Sequence, residues 1–222
     1  MAGQPEDLWL FGYGHRPITK ATFAASGRYD THDERSKHET AAEVANRQAS
    51  QDHRGTPEAP GRVVTLIDRA VWETLTDQHA TAPPKVWGAA YRIPAAHVAE
   101  VKVYLDIREI NGYSIQYTPF TKDQDMSATY QTVHTSSASD EKVPGQISCL
   151  VYIGLPDNPQ FLGPQEPQAL AEHIVKSRGP SGENRDYLYQ LEEALDGLSE
   201  GSGDEHVSDL ARRCREIETR GR

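Results

Sequence analysis

Runs of apolar and β-branched residues predict strands over the first two thirds of the chain. The run at 114–120 alternates apolar and polar side chains, which is typical of a strand at the edge of a sheet. The run at 147–154 is mostly apolar and rich in β-branched residues, so it gives the strongest strand prediction. The complete set of predicted strands is 8–13, 62–67, 86–93, 114–120 and 147–154.

Apolar residues at helical spacing predict helices at 95–109, 167–176, 184–198 and 205–219. Ser181, which follows Gly179 and Pro180, is the predicted N-cap of the third of these helices. Strands therefore come first with one helix inserted among them, and the other helices follow. This order predicts an α+β fold around one sheet or a small barrel.

The helix predicted over 95–109 carries an acid on its apolar stripe. Val98, Val101, Leu105 and Glu109 recur at steps of three, four and four, so all four lie on one helix face. A carboxylate on a buried face has a raised pKa, which suits a general base or acid working near neutral pH. The alternative is a charged residue that simply reaches water at the end of the stripe.

The overall charge narrows the range of partners. The net charge of −10 argues against nucleic acid, because a phosphate backbone is bound by basic surfaces. No apolar run approaches the length that spans a membrane, and the first seven residues lack the pattern of a signal peptide. We therefore expect a cytoplasmic protein without a membrane partner, and a chain of 222 residues is expected to form one domain.

Two short motifs are candidates for binding a substrate. Residues 11–14 end a predicted strand with two glycines, where backbone N–H groups can face an anion or a developing oxyanion. A plain tight turn is the alternative reading of this motif. Arg54 lies in a polar turn and is able to clamp a substrate carboxylate in a bidentate fork. Its alternative role is a surface ion pair with Asp52.

The histidines and cysteines do not predict a metal or nucleophile site. Cys149 lies in a predicted core strand, where a thiol serves packing more often than catalysis. Cys149 and Cys214 are far apart and form no CxxC motif. No metal site is expected, because four of the histidines fall at no metal-ligand spacing. These are His32, His38, His53 and His79.

Short motifs along nearly the whole chain resemble, in their order, the ChaC family of glutathione-specific γ-glutamylcyclotransferases. No one of these motifs is distinctive, but the collinear set is specific. It comprises WLFGYG at 9–14, DHRG at 52–55, PGRVVTL at 60–66, VWGAAYR at 86–92, YLDIRE at 104–109, GY at 112–113, LVYIG at 150–154, PDNP at 156–159, FLGP at 161–164, GPSGEN at 179–184, YL at 187–188 and DEH at 204–206.

This resemblance implies a fold, a reaction and a set of site residues. The fold would be a small mixed β-barrel flanked by C-terminal helices. The reaction would cleave glutathione to 5-oxoproline and cysteinylglycine without a metal or a cofactor. Glu109 would be the catalytic residue, the Gly12-Tyr13-Gly14 loop would hold the γ-glutamyl group, and Arg54 and Tyr152 would line the pocket. Action on other γ-glutamyl peptides or amines, and binding without catalysis, are the alternatives.

One segment departs from the family pattern. The family continues after the glycine motif with serine and leucine, whereas this chain has His15 and Arg16, and the match is absent over 15–47. That segment is polar and has no strand periodicity, so the barrel is expected to lose a strand and the activity to be weak or absent. The single domain is predicted over 8–218, with a mobile insertion at 121–146 that is rich in polar residues.

Overall fold

The computed structural model describes residues 6–13, 33–38, 42–51, 53–75, 86–108, 113–122 and 147–221. These residues form a mixed α+β fold, with a sheet followed along the chain by helices. The strands are β1 (Leu8–Tyr13), β2 (Asp33–His38), β3 (Ala42–Ser50), β4 (Gly61–Asp68), β5 (Val86–Ile93), β6 (Tyr113–Lys122), β7 (Ile147–Gly154), β8 (Arg178–Gly179) and β9 (Gly182–Glu183). The helices are α1 (Arg69–Trp72), α2 (Val98–Arg108), α3 (Pro167–Lys176), α4 (Asn184–Asp196) and α5 (Glu205–Arg220).

The described strands β1 to β7 form one sheet in the order β1-β5-β2-β6-β7-β4-β3. β7 holds this sheet together, because it pairs antiparallel with β6 along its whole length. It also pairs in parallel with β1 at Cys149 and Leu150, and with β4 at Gly154. Strands β1, β4 and β6 therefore all pair with β7. Because successive side chains of a strand point to opposite faces, β7 contributes residues to two different cores.

The first core, called the inner cluster here, joins the sheet strands to one another. Phe11 of β1 and Phe120 of β6 meet edge to face, with ring centroids 6.2 Å apart. From β7 it receives Cys149, Val151 and Ile153, which are at most 3% exposed. Aromatic rings favour edge-to-face packing over direct face-to-face stacking, and the burial of these two rings anchors both strands.

The second core, called the helix-side cluster, lies on the other face of β1 and β7. It contains Leu8, Ile93, Val101 and Leu150, with Val98 and Leu105 packed against it. Val98, Val101 and Leu105 of α2 all contribute to it, which confirms the predicted apolar stripe for these three residues. The stripe thus fixes α2 against the strand face that carries Leu150.

The predicted strands are confirmed, but the prediction for segment 15–47 is corrected by the structure. Residues 33–38 and 42–50 form strands, so the prediction of no strand there is wrong. β2 lies between β5 and β6, and β3 pairs with β4. Backbone hydrogen bonds to existing neighbours make these strands, and such pairing does not require alternating side chains. Residues 14–32 and 39–41 lie outside the described residues.

Strand β6 corrects two further predictions. It was expected at the sheet edge, but residues 120–122 pair with β2 while the rest of the strand pairs with β7. The edge prediction is therefore wrong for the end of the strand. The polar insertion predicted at 121–146 starts later than expected, because β6 continues through Lys122. Residues 123–146 lie outside the described residues.

The C-terminal helices are confirmed with small changes at their ends, and the N-cap of α4 is different. Glu183, not Ser181, precedes the first residue of α4. Residues 178–179 pair with 182–183 in a short hairpin, which places Ser181 in its turn. There the Ser181 N–H donates to the carbonyl of His53 at 2.9 Å, so a long-range contact overrides the local capping preference.

The three helices α3, α4 and α5 share a third core, the C-terminal cluster. Its members lie on the predicted apolar faces, and Tyr13 and Val64 of the sheet pack against it. Leu188, Leu195, Val207, Leu210 and Cys214 of this cluster are at most 1% exposed. Among the described residues, no helix has both the length and the apolar character needed to cross a bilayer.

Candidate active site

Helix α2 leads directly to the predicted catalytic glutamate. Arg108 is the last described residue of this helix, so Glu109 itself lies outside the described residues. The helix-side cluster holds the start and middle of α2 through Val98 and Val101. The helix that precedes Glu109 in the chain therefore packs on the face of β1 and β7.

The start of this helix is fixed by Asp7, which the sequence did not single out. Asp7 Oδ1 accepts a hydrogen bond from the Ala95 N–H at 2.8 Å, and Asp7 Oδ2 accepts one from Arg92 Nε at 2.7 Å. The Ala95 N–H, followed by the Arg92 side chain, lowers the pKa of Asp7. This carboxylate joins the beginning of β1 to the turn at 95–97 that opens α2, and it does so in its charged form.

The predicted substrate loop begins inside strand β1. Gly12 and Tyr13 are its last two residues and pair with Ala89 and Gly88 of β5. The prediction that this glycine motif ends a strand is confirmed for these two residues, while Gly14 lies outside the described residues. Neither Gly12 nor Tyr13 is in a loop, because the antiparallel pairing with β5 continues to the end of the strand.

Strand alternation separates the predicted site residues into two groups. Gly12 has the same parity as Leu8, so it lies on the face of the helix-side cluster, where α2 packs. Tyr152 of β7 packs against the same cluster and meets the Tyr113 ring edge to face at 6.3 Å. The structure therefore brings Gly12, Tyr152 and the helix that precedes Glu109 to one side of the sheet.

Tyr13 points to the opposite face and contacts the C-terminal helices. Its ring packs against both the inner cluster and the C-terminal cluster. Its hydroxyl donates to Asp204 Oδ2 at 2.9 Å, and Asp204 Oδ1 accepts the Val207 N–H at 2.9 Å. One carboxylate thus binds the end of β1 and caps α5.

Arg54 also belongs to the second group. Its Nη1 donates to the carbonyl of Glu183 at 3.1 Å, and its guanidinium lies 5.5 Å from the centroid of the Tyr187 ring. Within the described ranges this half-buried cation has no carboxylate partner. Asp52, its alternative partner in the sequence, lies outside them. The remaining guanidinium donors suit a substrate carboxylate.

Two motifs far apart in the chain hold Arg54 in place. A Cβ on Gly179 would lie 2.3 Å from the carbonyl oxygen of His53, and a Cβ on Gly55 would lie 2.0 Å from Gly61 N. Both positions therefore need glycine, because the two backbones approach closely. The turn at 53–55 and the hairpin at 178–183 form one unit, and this unit orients the Arg54 side chain.

Asn184 is a structural residue that the sequence did not reveal. It is 0% exposed. Its Oδ1 accepts the Arg62 N–H at 2.6 Å, and its Nδ2 donates to the Arg62 carbonyl at 2.7 Å. The side chain therefore replaces a neighbouring strand for this residue of β4. It ties the first turn of α4 to the sheet beside the Arg54 unit.

The cysteines have the environment of core residues. Cys149 and Cys214 are both fully buried. Burial raises the pKa of the Cys149 thiol to about 12, and burial likewise raises that of Cys214 to about 12. Neither thiol supplies a thiolate at neutral pH. In the described part of the chain, no group of three His, Cys, Asp or Glu residues is placed to hold a metal ion.

Labelling of the folded chain with a thiol-reactive disulfide reagent at pH 8 is expected to modify neither cysteine. The raised pKa values keep both thiols protonated at that pH, and burial excludes the reagent. In guanidinium chloride both thiols should react quickly, which serves as the positive control. Fast labelling of either cysteine before unfolding would contradict this assignment. The reaction is followed by absorbance and located by mass spectrometry.

The chain belongs to the ChaC-like protein family, whose model matches residues 8–217. The glutathione-specific gamma-glutamylcyclotransferase of Schizosaccharomyces pombe is 38% identical over 162 residues, which cover 72% of each chain. Gamma-glutamylcyclotransferase 2-3 of Arabidopsis thaliana is 38% identical over 174 residues, covering 77% of this chain and 73% of its own.

A solved structure has a similar fold. The crystal structure of the yeast γ-glutamylcyclotransferase specific to glutathione superposes with a TM-score of 0.71 at 27% sequence identity. The superposition covers 95% of this chain and 96% of the yeast chain. The similarity therefore extends over both the sheet and the C-terminal helices, and it includes the strands that carry the candidate site residues.

Proposed function

We propose that this chain is a γ-glutamylcyclotransferase that converts glutathione to 5-oxoproline and cysteinylglycine. The observation that carries this function is the match to the ChaC-like family over residues 8–217. Relatives with glutathione-specific names share up to 38% identity with it. The sheet and helices also follow the fold of the yeast enzyme along nearly its full length.

The reaction is an internal cyclisation of the substrate. The α-amine of the γ-glutamyl group attacks its own γ-carbonyl, which closes a five-membered ring and breaks the bond to the cysteinyl nitrogen. Because both reacting groups belong to one molecule, holding it in the folded conformation supplies part of the ~7–11 kcal/mol available from proximity and orientation. A site for this reaction needs a shaped cavity, a proton acceptor and donors for the oxyanion.

Glu109 is the proposed proton carrier. At neutral pH the α-amine is an ammonium, so a base must remove a proton before the amine attacks. The departing cysteinyl nitrogen must receive a proton when its bond breaks. One carboxylate with a raised pKa performs both transfers, and such catalysis is worth about 10²–10⁴-fold. The packing of α2 beside Gly12 and Tyr152 supports this role.

The other candidate residues have binding roles in this proposal. Backbone N–H groups at the end of β1, around Gly12 and Gly14, stabilise the oxyanion. Tyr152 supplies an aromatic wall on the face where α2 packs, which its contact with Tyr113 supports. Arg54 binds a substrate carboxylate, and two observations support this role: its guanidinium has no carboxylate partner in the described part of the chain, and it lies over the Tyr187 ring. No metal or cofactor takes part.

We also infer a single domain over 8–218 built on a small mixed β-barrel. The pairings β1–β5, β5–β2, β2–β6, β6–β7 and β7–β1 run in a cycle, which supports such a barrel. Segment 15–47 contains two strands, so a missing strand is no longer a reason to expect weak activity. The chain still lacks the family's serine and leucine after Gly14, which would contact the γ-glutamyl group. We therefore expect activity at a reduced rate.

Substrate preference is tested by measuring 5-oxoproline release from glutathione and from γ-glutamyl-alanine under identical conditions. We expect a higher kcat/KM for glutathione. Equal or higher kcat/KM for γ-glutamyl-alanine would assign the enzyme to other γ-glutamyl peptides. Because the sequence after Gly14 lacks the family's serine and leucine, binding without catalysis is the second candidate function. Calorimetry that detects glutathione binding in the absence of any product would favour it.

A further inference from the structure

We propose that Asp204 is a positioning residue of the enzyme, which holds the end of β1 in place through the Tyr13 hydroxyl. This inference rests on the proposed function, because Gly12, the neighbour of Tyr13 in β1, is one of the proposed oxyanion-binding positions. Tyr13 and Asp204 are 191 residues apart in the chain, yet their side chains lie 2.9 Å apart.

The geometry of Asp204 lets one carboxylate serve two elements. Oδ1 accepts the Val207 N–H and begins α5, while Oδ2 accepts the Tyr13 hydroxyl. Val207 is 0% exposed in the C-terminal cluster, so the helix that Asp204 caps is firmly packed. The packing of this helix therefore holds the Asp204 carboxylate in place. Its bond to the Tyr13 hydroxyl has a charged acceptor, and such hydrogen bonds are among the stronger ones in proteins.

The anchoring of Tyr13 restrains the backbone on which the site depends. The ring is held by two apolar clusters, and the hydroxyl at its far end is held by Asp204. Within the described residues, Tyr13 is the last residue of β1 and pairs with Gly88 of β5. The Tyr13 side chain thus restrains the end of β1 next to Gly12, and the bond to Asp204 fixes the hydroxyl end of that side chain.

Three substitutions separate this role from simple helix capping. In Asp204→Ser the hydroxyl still caps α5, because serine is as good an N-cap as aspartate, but its short side chain does not reach Tyr13. In Asp204→Asn one amide atom caps the helix and the other keeps a hydrogen bond to the phenol. Tyr13→Phe removes the same bond from the other side. Glu205→Ser, at an exposed neighbouring acid, is the matched control.

The variants are compared by 5-oxoproline release from glutathione and by thermal unfolding. Asp204→Ser and Tyr13→Phe should each lower kcat/KM by about 10-fold to 10²-fold, the cost of a displaced binding group. Asp204→Asn and Glu205→Ser should stay within about threefold of wild type. Asp204→Ser should lower Tm no further than Tyr13→Phe does, because both variants lose the same bond and the helix cap survives in Asp204→Ser. Combining Asp204→Ser with Tyr13→Phe should cost no more than either change alone. Full activity of Asp204→Ser would overturn the proposal.

Amide hydrogen exchange gives a second measurement that does not depend on turnover. Residues 8–13 should exchange faster in Asp204→Ser than in the wild type and in Asp204→Asn, because the end of β1 loses its anchor. Unchanged exchange in Asp204→Ser would overturn the anchoring role. A wild-type chain that makes no 5-oxoproline would contradict the proposed function instead, and the exchange comparison would then decide about Asp204 alone.

Discussion

Glu109→Gln should reduce the kcat for 5-oxoproline release by about 10²–10⁴-fold, the usual contribution of a general acid–base group. Glutamine has nearly the same shape but does not accept the proton of the substrate ammonium. The helix should be unaffected, because α2 is held by Val98, Val101 and Leu105. We therefore expect Tm within a degree or two of wild type, so that the loss is catalytic and not a loss of fold.

Glu100→Gln is the matched control for this substitution. Glu100 lies on the same helix, and its side chain is 62% exposed, with His97 Nδ1 at 3.8 Å. Neutralising it removes the same charge from the same helix, away from the face that packs on the sheet. Its kcat should remain within about twofold of wild type, as surface changes usually do little. Turnover by Glu109→Gln equal to that of Glu100→Gln would remove Glu109 from the mechanism.

Asn184→Ala should lower the free energy of unfolding by about 2–4 kcal/mol, because each buried backbone group left without a partner costs ~1–3 kcal/mol. The substitution takes away the bonds to both the N–H and the carbonyl of Arg62. It also leaves a cavity where the structure has a fully buried side chain. Urea unfolding followed by circular dichroism measures the change.

Two comparisons make the Asn184 result specific. Gln190→Ala changes an exposed amide on the same helix and should alter stability by less than about 0.5 kcal/mol. Asn184→Asp keeps the shape but replaces the Nδ2 donor with a carboxylate oxygen facing the Arg62 carbonyl, so it should destabilise at least as much as alanine. Stability of Asn184→Ala equal to that of Gln190→Ala would show that the Arg62 bonds contribute nothing.

The parts of the fold that local periodicity describes were predictable from the sequence. Strands β1, β5 and β7 and helix α3 have the predicted bounds, because each buries an apolar face against a neighbouring element. Strands β2 and β3 were missed, since their existence depends on backbone pairing with β5, β6 and β4 and not on their own side-chain pattern. The shift of the α4 N-cap from Ser181 to Glu183 likewise comes from a contact with His53.

The site was predictable in its residue types and less so in its architecture. The family resemblance pointed to the glycine end of β1, Arg54 and Tyr152 as candidates, the helical stripe pointed to Glu109, and their roles stay predictions. Strand parity then separates Gly12 from Tyr13, which contact different faces of the sheet. The bond between Tyr13 and Asp204 joins the two ends of the chain, and no local pattern carries information about a pairing of that kind.

The most direct test incubates the purified wild-type chain with glutathione and quantifies 5-oxoproline, cysteinylglycine and glutamate together, with the Glu109→Gln variant in parallel. An internal cyclisation must release 5-oxoproline and cysteinylglycine in equal amounts and no glutamate, and the variant should release almost none. Release of glutamate would show attack by water in place of the substrate amine. Either that result or the absence of any product from the wild-type chain would contradict the assigned reaction.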